Sequence, residues 1–307
     1  MRLDFLTFVG STLALLLAST ASFAAPQHAL TVYGEPAKYP AGFSHFDYVN
    51  PDAPKGGSLK RSALEVGRFD HVLPYIDKGI GVSQLDGWVY SPLAYRSLDE
   101  PYTVYGLVAQ KMERAEDGLY LRFFLNPKAR FADGKPITAE DVRYSFNLLM
   151  TQGSLRFRTL FADVKHVEVE GPLRVRFDFA SNENRTLPLD LATLPVFPEH
   201  WWKSRDFANG GGYEAPLGSG PYKVSKINAG STITFQRDPD WWGKDLPVSR
   251  GLYNFDRLSL EYFGDTEVAR QVLRGGAYDF NREFSATGYS IGYNGPALDD
   301  GRLQRAH

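Results

Sequence analysis

Between Leu119 and Met150 the spacing of apolar residues changes period, and the change marks out three consecutive elements. Leu119, Leu121, Phe123 and Leu125 alternate with Tyr120, Arg122, Phe124 and Asn126, which predicts a strand with one face buried. Asp133-Gly134 follows as a turn dipeptide, since glycine takes a positive φ at no steric cost. Thr138 comes shortly after Pro136, with its hydroxyl placed to accept the backbone N–H three residues on. Asp141 holds the capping-box position usually filled by Glu or Gln. Val142, Phe146, Leu149 and Met150 then recur at helical spacing, so the predicted helix buries one face and turns Arg143 and Asn147 outward.

The same reading places strands at Gly57–Ala63, Val164–Glu170, Leu173–Phe179, Ser231–Arg237 and Leu258–Phe263, and helices at Ala139–Met150 and Thr266–Arg274. Proline- and glycine-rich breaks fall at Asn50–Gly57 and Asn209–Pro221. No internal repeat, heptad run or low-complexity tract is visible. The chain is too long for one small core, so two lobes are expected on length alone.

The first residues read as an export signal rather than as structure. Phe5 to Ala21 is an apolar run without charge, short and rich in small residues for a spanning helix. Ser22 and Ala24 supply small residues ahead of a cleavage that would leave Ala25 as the mature N-terminus. Removal takes one Arg and one Asp, so the formal charge of −2 is unchanged. That balance argues against a nucleic-acid partner, which wants a clustered basic surface. The chain has no cysteine, which excludes disulfides, thiolate metal sites, a cysteine nucleophile and a lipidated N-terminal Cys. A freely diffusing, non-lipidated periplasmic protein is the expectation.

No catalytic constellation emerges, and neither a metal site nor a cofactor is expected. The histidines (28, 45, 71, 166, 200 and 307) are scattered, with no pair three or four apart for ligation on a helix face. Gly218-Ser219-Gly220 fails as a nucleophile elbow, because position 217 is Leu and 221 is Pro, and reads as a turn. Gly210-Gly211-Gly212 lacks the Lys-Ser/Thr of a phosphate loop and reads as a loop. Glu140-Asp141 is explained by helix capping and the helix dipole, and Glu116-Asp117 before Gly118 by a turn.

The string RFADGKPITAEDVRYSFNLL resembles the signature segment of the family 5 bacterial extracellular solute-binding proteins, the peptide-binding components of ABC importers. Three further segments agree in order. Pro216-Leu-Gly-Ser-Gly-Pro-Tyr-Lys-Val224 resembles a turn and strand of that family. Arg237-Asp-Pro-Asp-Trp-Trp-Gly243 resembles its aromatic element, with Asp238 where Asn is usual and Trp241 inserted. Leu273-Arg-Gly-Gly-Ala-Tyr-Asp-Phe280 resembles a helix end and strand. Tyr33-Gly-Glu-Pro-Ala-Lys-Tyr-Pro and His45–Gly57 are similar to the branch serving oligopeptide and microcin C uptake.

The resemblance implies an α/β, periplasmic-binding-protein-like fold (type II, oligopeptide-binding cluster). A discontinuous first lobe with mixed sheets would take residues 25–69 and 195–280, and an inserted α+β second lobe residues 70–194. Residues 281–307 would begin a third lobe that is largely missing, since family members run to about twice this length. It further implies a monomeric binder of oligopeptides, including peptide-nucleotide antibiotics of the microcin C type, that serves an inner-membrane ABC permease. By analogy, Leu64, Glu65 and Val66, within Ala63–Gly67, would present backbone to the ligand. Trp242 would either stack on ligand or pack in the first lobe, and Asp279 would end a strand or form a hinge. The rival readings are a secreted hydrolase and a stand-alone chaperone or sensor module.

Overall fold

The computed structural model describes residues 25–63, 67–277 and 279–305. Its strands in chain order are β1 (Ala29–Thr31), β2 (Ser58–Ser62), β3 (Ala94–Arg96), β4 (Thr103–Gly106), β5 (Ala109–Arg114), β6 (Tyr120–Leu125), β7 (Val164–Gly171), β8 (Arg174–Phe179), β9 (Tyr222–Asn228), β10 (Thr232–Arg237) and β11 (Arg257–Glu261). The helices are α1 (Leu85–Trp88), α2 (Ala139–Gln152), α3 (Leu155–Leu160), α4 (Leu187–Ala192), α5 (Glu199–Trp202), α6 (Thr266–Arg274), α7 (Ala286–Ile291) and α8 (Pro296–Asp299).

One antiparallel sheet, ordered β5-β6-β8-β7, carries the period-two strand of the sequence. Leu121, Phe123 and Leu125 are buried as the alternation requires. Leu119 is not: it is 40% exposed, because it precedes the strand at the hairpin turn, where its carbonyl accepts from the Phe179 N–H at 2.8 Å. The turn itself is closed by Gly118, whose φ is +72° and whose N–H donates to Ala115 at 3.0 Å. On the opposite face Arg122 donates to both oxygens of Glu170, at 2.6 and 2.8 Å, and also pairs with Glu113.

Helix α2 covers the inner face. Val142, Phe146 and Leu149 are buried, and the Phe146 ring meets Phe177 edge-on at 5.5 Å. Each large side chain so buried contributes about 1.5–3 kcal/mol. The capping box is present: the Thr138 Oγ accepts from the Asp141 N–H at 3.4 Å, and Asp141 Oδ2 accepts from the Thr138 N–H at 2.9 Å.

A three-stranded antiparallel sheet, β1-β4-β3, joins the N-terminal stretch to residues 94–106. Gln27 also bridges Met112. The third sheet, β2-β11-β10-β9, is mixed: β9, β10 and β11 are antiparallel, while β2 lies parallel to β11. One buried apolar cluster runs from Phe123 and Phe177 to Phe235 and Leu260, so these sheets share a core.

The glycine motifs are packing devices. Gly218-Ser219-Gly220 lies against Trp88 and Val89 so closely that a Cβ on Gly218 would stand 2.0 Å from the Val89 carbonyl oxygen. Buried Ser219 accepts at Oγ from the Ser91 N–H (3.1 Å), and its carbonyl accepts from Ser91 Oγ (3.0 Å) and from the indoles of Trp241 (2.7 Å) and Trp242 (3.0 Å). The serine is therefore structural. Gly210, Gly211 and Gly212 form a loop with three successive positive φ values.

Candidate ligand-binding cleft

Strand β2 has a parallel neighbour on each side. Against β11 the register runs Ser58↔Arg257 to Ser62↔Glu261. On the other side, Arg61 bridges Phe280 in parallel. There the Asp279 N–H donates to the Lys60 carbonyl at 2.7 Å, and Asp279 Oδ2 accepts from the Lys60 N–H at 2.9 Å. Three strand segments thus present their carboxyl ends at one edge, the place where parallel sheets leave a crevice for ligands. Backbone pairing continues past β2, from Ala63 N–H to Glu261 (2.7 Å) and from Gly67 N–H to Phe263 (2.8 Å).

Two cavities open at this edge. One of about 380 Å³ lies among Ser62, Ala63, Phe263, Asp265, Arg270 and the segment 281–285. The other, about 270 Å³, lies between Phe280, Arg282, Tyr289, Tyr293 and Arg305. The wall beside β2 is a strip, residues 280–284, whose exposure alternates: Phe280, Arg282 and Phe284 are exposed, Asn281 and Glu283 half-buried.

The half-buried residues tie the strip to the fold. Ser62 Oγ donates to Asn281 Oδ1, and Asn281 Nδ2 donates to the Tyr293 hydroxyl at 2.5 Å. Glu283 accepts from Arg270 (2.8 Å), from the Tyr293 hydroxyl (2.9 Å) and from the Ser285 N–H (2.8 Å). Burial works against the Glu283 charge, but the Arg270 guanidinium and these donors outweigh it and hold the carboxyl below its usual range. Asp265 caps α6, accepting from the N–H groups of Glu267 (2.6 Å) and Val268 (3.2 Å). Among the described residues no group of three or more His, Cys, Asp or Glu could hold a metal ion. The edge offers strand-end backbone, exposed rings and an arginine.

Of the residues singled out in the sequence, Leu64, Glu65 and Val66 lie outside the described residues, as do Ser22 and Ala24; Ala25 is the first described. Ala63 and Gly67, on either side of 64–66, are both fixed to the β11 side of the crevice. Trp242 is partly buried, meets Trp241 at 5.8 Å and lines neither cavity. Asp279 extends the sheet beside β2. Asn281, Arg282, Glu283 and Tyr293 escaped the sequence reading. The one available signal was the phenylalanine spacing in Phe280-Asn-Arg-Glu-Phe284, a period-two pattern interrupted by charge.

Comparison with known proteins agrees with this geometry. The profile of the family described as bacterial extracellular solute-binding proteins, family 5 Middle, matches residues 103–306. A relative from Agrobacterium fabrum named "Probable peptide-binding protein YejA" is 38% identical over 275 residues, 87% of this chain and 44% of its own. Another from the same organism, "Peptidoglycan-binding protein YepA", is 35% identical over 303 residues, 94% of this chain and 49% of its own. The oligopeptide-binding protein AppA of Bacillus subtilis, solved with a nonapeptide, superposes with a TM-score of 0.65 at 20% identity, over 78% of this chain and 46% of that one. That likeness establishes the fold. The chain spans about half the length of the curated relatives it matches.

Proposed function

We propose a function from one premise: the chain belongs to the family 5 bacterial extracellular solute-binding proteins. In this reading it is the periplasmic substrate-binding component of an ABC importer. It captures oligopeptides and hands them to an inner-membrane permease, with no covalent step. The observation that carries the reading is the convergence of three parallel carboxyl ends on a crevice built from backbone and strip residues. An extended peptide needs such a surface, because its own N–H and C=O groups must be satisfied when it leaves water.

Capture would proceed by closure of lobes around the ligand, favoured only by contacts both sides make with it. We assign residues 25–69 and 195–280 to a first lobe, 70–194 to an inserted second lobe, and 281 onward to the start of a third. Leu64, Glu65 and Val66 would present backbone from the loop that follows β2. Cleavage before Ala25 would release the protein into the periplasm. Among the described residues no helix is long and apolar enough to cross a membrane.

The test is the ligand itself. The protein, expressed from its own locus and purified from the periplasm, is denatured, and the released small molecules are identified by mass spectrometry. Titration with a mixed tri- to hexapeptide pool follows. Released peptides and saturable heat support the reading, and peptide-nucleotide conjugates among them would extend it to the microcin C type. Absence of both signals overturns it. Release of peptidoglycan fragments would move the ligand class toward the one in the name of the YepA relative. Peptides returned cleaved would instead support the hydrolase.

A further inference from the structure

Resting on that reading, we infer that Arg282 is the anion-recognising residue of the cleft, and that the crevice takes peptides that place a carboxylate there.

Each charged side chain that borders the two cavities, Arg282 excepted, has a hydrogen-bonding partner among the described residues. Asp265 is committed to the N-terminus of α6, and Asp279 to the backbone of Lys60. Arg270 and Glu283 neutralise one another at 2.8 Å, and Arg270 also reaches Glu267 at 3.3 Å. Arg305 donates to the Asn294 side chain at 2.8 Å and to the Ser290 carbonyl at 3.4 Å. Arg282 lines both cavities and makes no ion pair or hydrogen bond among the described residues. Its one neighbour of note is the ring of Phe284, over which the guanidinium stands at 5.1 Å.

The local geometry explains why this charge is left over. Along the strip the side chains of Asn281 and Glu283 turn inward to Ser62, Tyr293 and Arg270. Alternation then sends Phe280, Arg282 and Phe284 to the opposite face. The product is a guanidinium over the Phe284 ring, on a face that also carries Phe280, with Phe280 at 47% and Phe284 at 68% exposure. A ring beneath the guanidinium leaves its planar N–H edge free and restricts its orientations. That edge matches a carboxylate bidentately, while the flanking rings accept the apolar part of a peptide.

The probes are four tetra-alanine-type peptides: the free acid, its C-terminal amide, and the amide with Asp at the third or at the fourth position. They are titrated against the protein expressed from its own locus and against Arg282→Gln and Arg282→Lys. The parent should bind a carboxylate-bearing member at least ten-fold more tightly than the plain amide. The free acid identifies a terminal carboxylate, and either Asp amide an acidic side chain. Arg282→Gln should reduce that preference to within two-fold, and Arg282→Lys should keep part of it. Arg282 is exposed and makes no hydrogen bond among the described residues, so the variants should unfold at the parent's temperature. Binding of all three carboxylate-bearing peptides by the parent no more tightly than the plain amide, or an undiminished preference in Arg282→Gln, overturns the inference while peptide binding itself stands. Failure of all probes and of the mixed pool removes the peptide reading and the inference with it.

Discussion

The cap of α2 has an unequal pair of partners, and Asp141 should matter more than Thr138. Thr138→Ala removes a long bond to the Asp141 N–H, 3.4 Å, and the hydroxyl donated to Asp141 Oδ2 at 2.8 Å. Loss of an N-cap of this kind costs about 1 kcal/mol, and Thr138→Ser should cost a few tenths. Asp141 is buried and accepts from three donors: the Thr138 N–H (2.9 Å), the Thr138 hydroxyl, and through Oδ1 the Glu199 N–H at 3.2 Å. Asp141→Ala leaves two backbone N–H groups without an acceptor, each costing about 1–3 kcal/mol. Both groups are only partly buried, which keeps the expected total to about 2–4 kcal/mol. Asp141→Asn keeps one acceptor oxygen and turns its NH₂ toward a donor, so it should fall between. Urea unfolding of the four variants reads this order directly, because unchanged slopes let midpoints report stability. If Asp141→Ala costs no more than Thr138→Ala, the carboxylate does not hold α5 to α2 and the reasoning fails.

Other outcomes follow from the same contacts. N-terminal sequencing of the periplasmic protein should begin at Ala25; a start at Met1, or recovery only from the cytosol, would refute export. The Arg122 guanidinium beside Glu170 holds its carboxyl below the usual range. Its contribution to stability is therefore complete above the ordinary value of 4.5 and disappears as pH falls through the lowered one. Glu170→Gln should thus weaken the protein at neutral pH and flatten its acid limb, and acid unfolding coincident with the parent would count against the pairing. Gly218→Ala should lower the melting temperature steeply or prevent folding, since its Cβ would stand 2.0 Å from the Val89 carbonyl oxygen; a melting curve like the parent's would show that the crossing is loose.

Local elements were legible to the extent that they carried their own periodicity or punctuation. Helix α6 falls at Thr266–Arg274 as its spacing predicts, and β7, β8, β10 and α2 lie within a residue or two of expectation. Strands β1, β3, β4 and β5 were not seen. The first three are three or four residues long, too short for alternation to register. In β5, AQKMER, polar residues occupy four of the six positions, and Glu113 is buried through its pairing with Arg122. Leu119 was misplaced because alternation gives the phase of a strand but not its end; the turn at Gly118 decides that.

The cleft was hidden for a different reason. β2, β11 and the segment at Asp279–Phe280 are separated by about 200 residues of chain and by α6, and parallel neighbours have no turn between them to announce the pairing. What brings them together is backbone registry around β2, which side-chain patterns do not encode. This bears on how such a cleft would recognise a ligand. Its inward side chains are already spent: Asn281 and Glu283 are held by Tyr293, Ser62 and Arg270. A ligand would meet strand-end backbone, the Phe280 and Phe284 rings and the Arg282 guanidinium, with Tyr289 and Arg305 at the second cavity. Backbone and rings accept many sequences, so a surface of this composition should discriminate weakly between side chains. It should discriminate strongly only where charge must be matched, because the Arg282 guanidinium, which no acid neutralises among the described residues, would lose water as a ligand settles and regain that loss only from an anion.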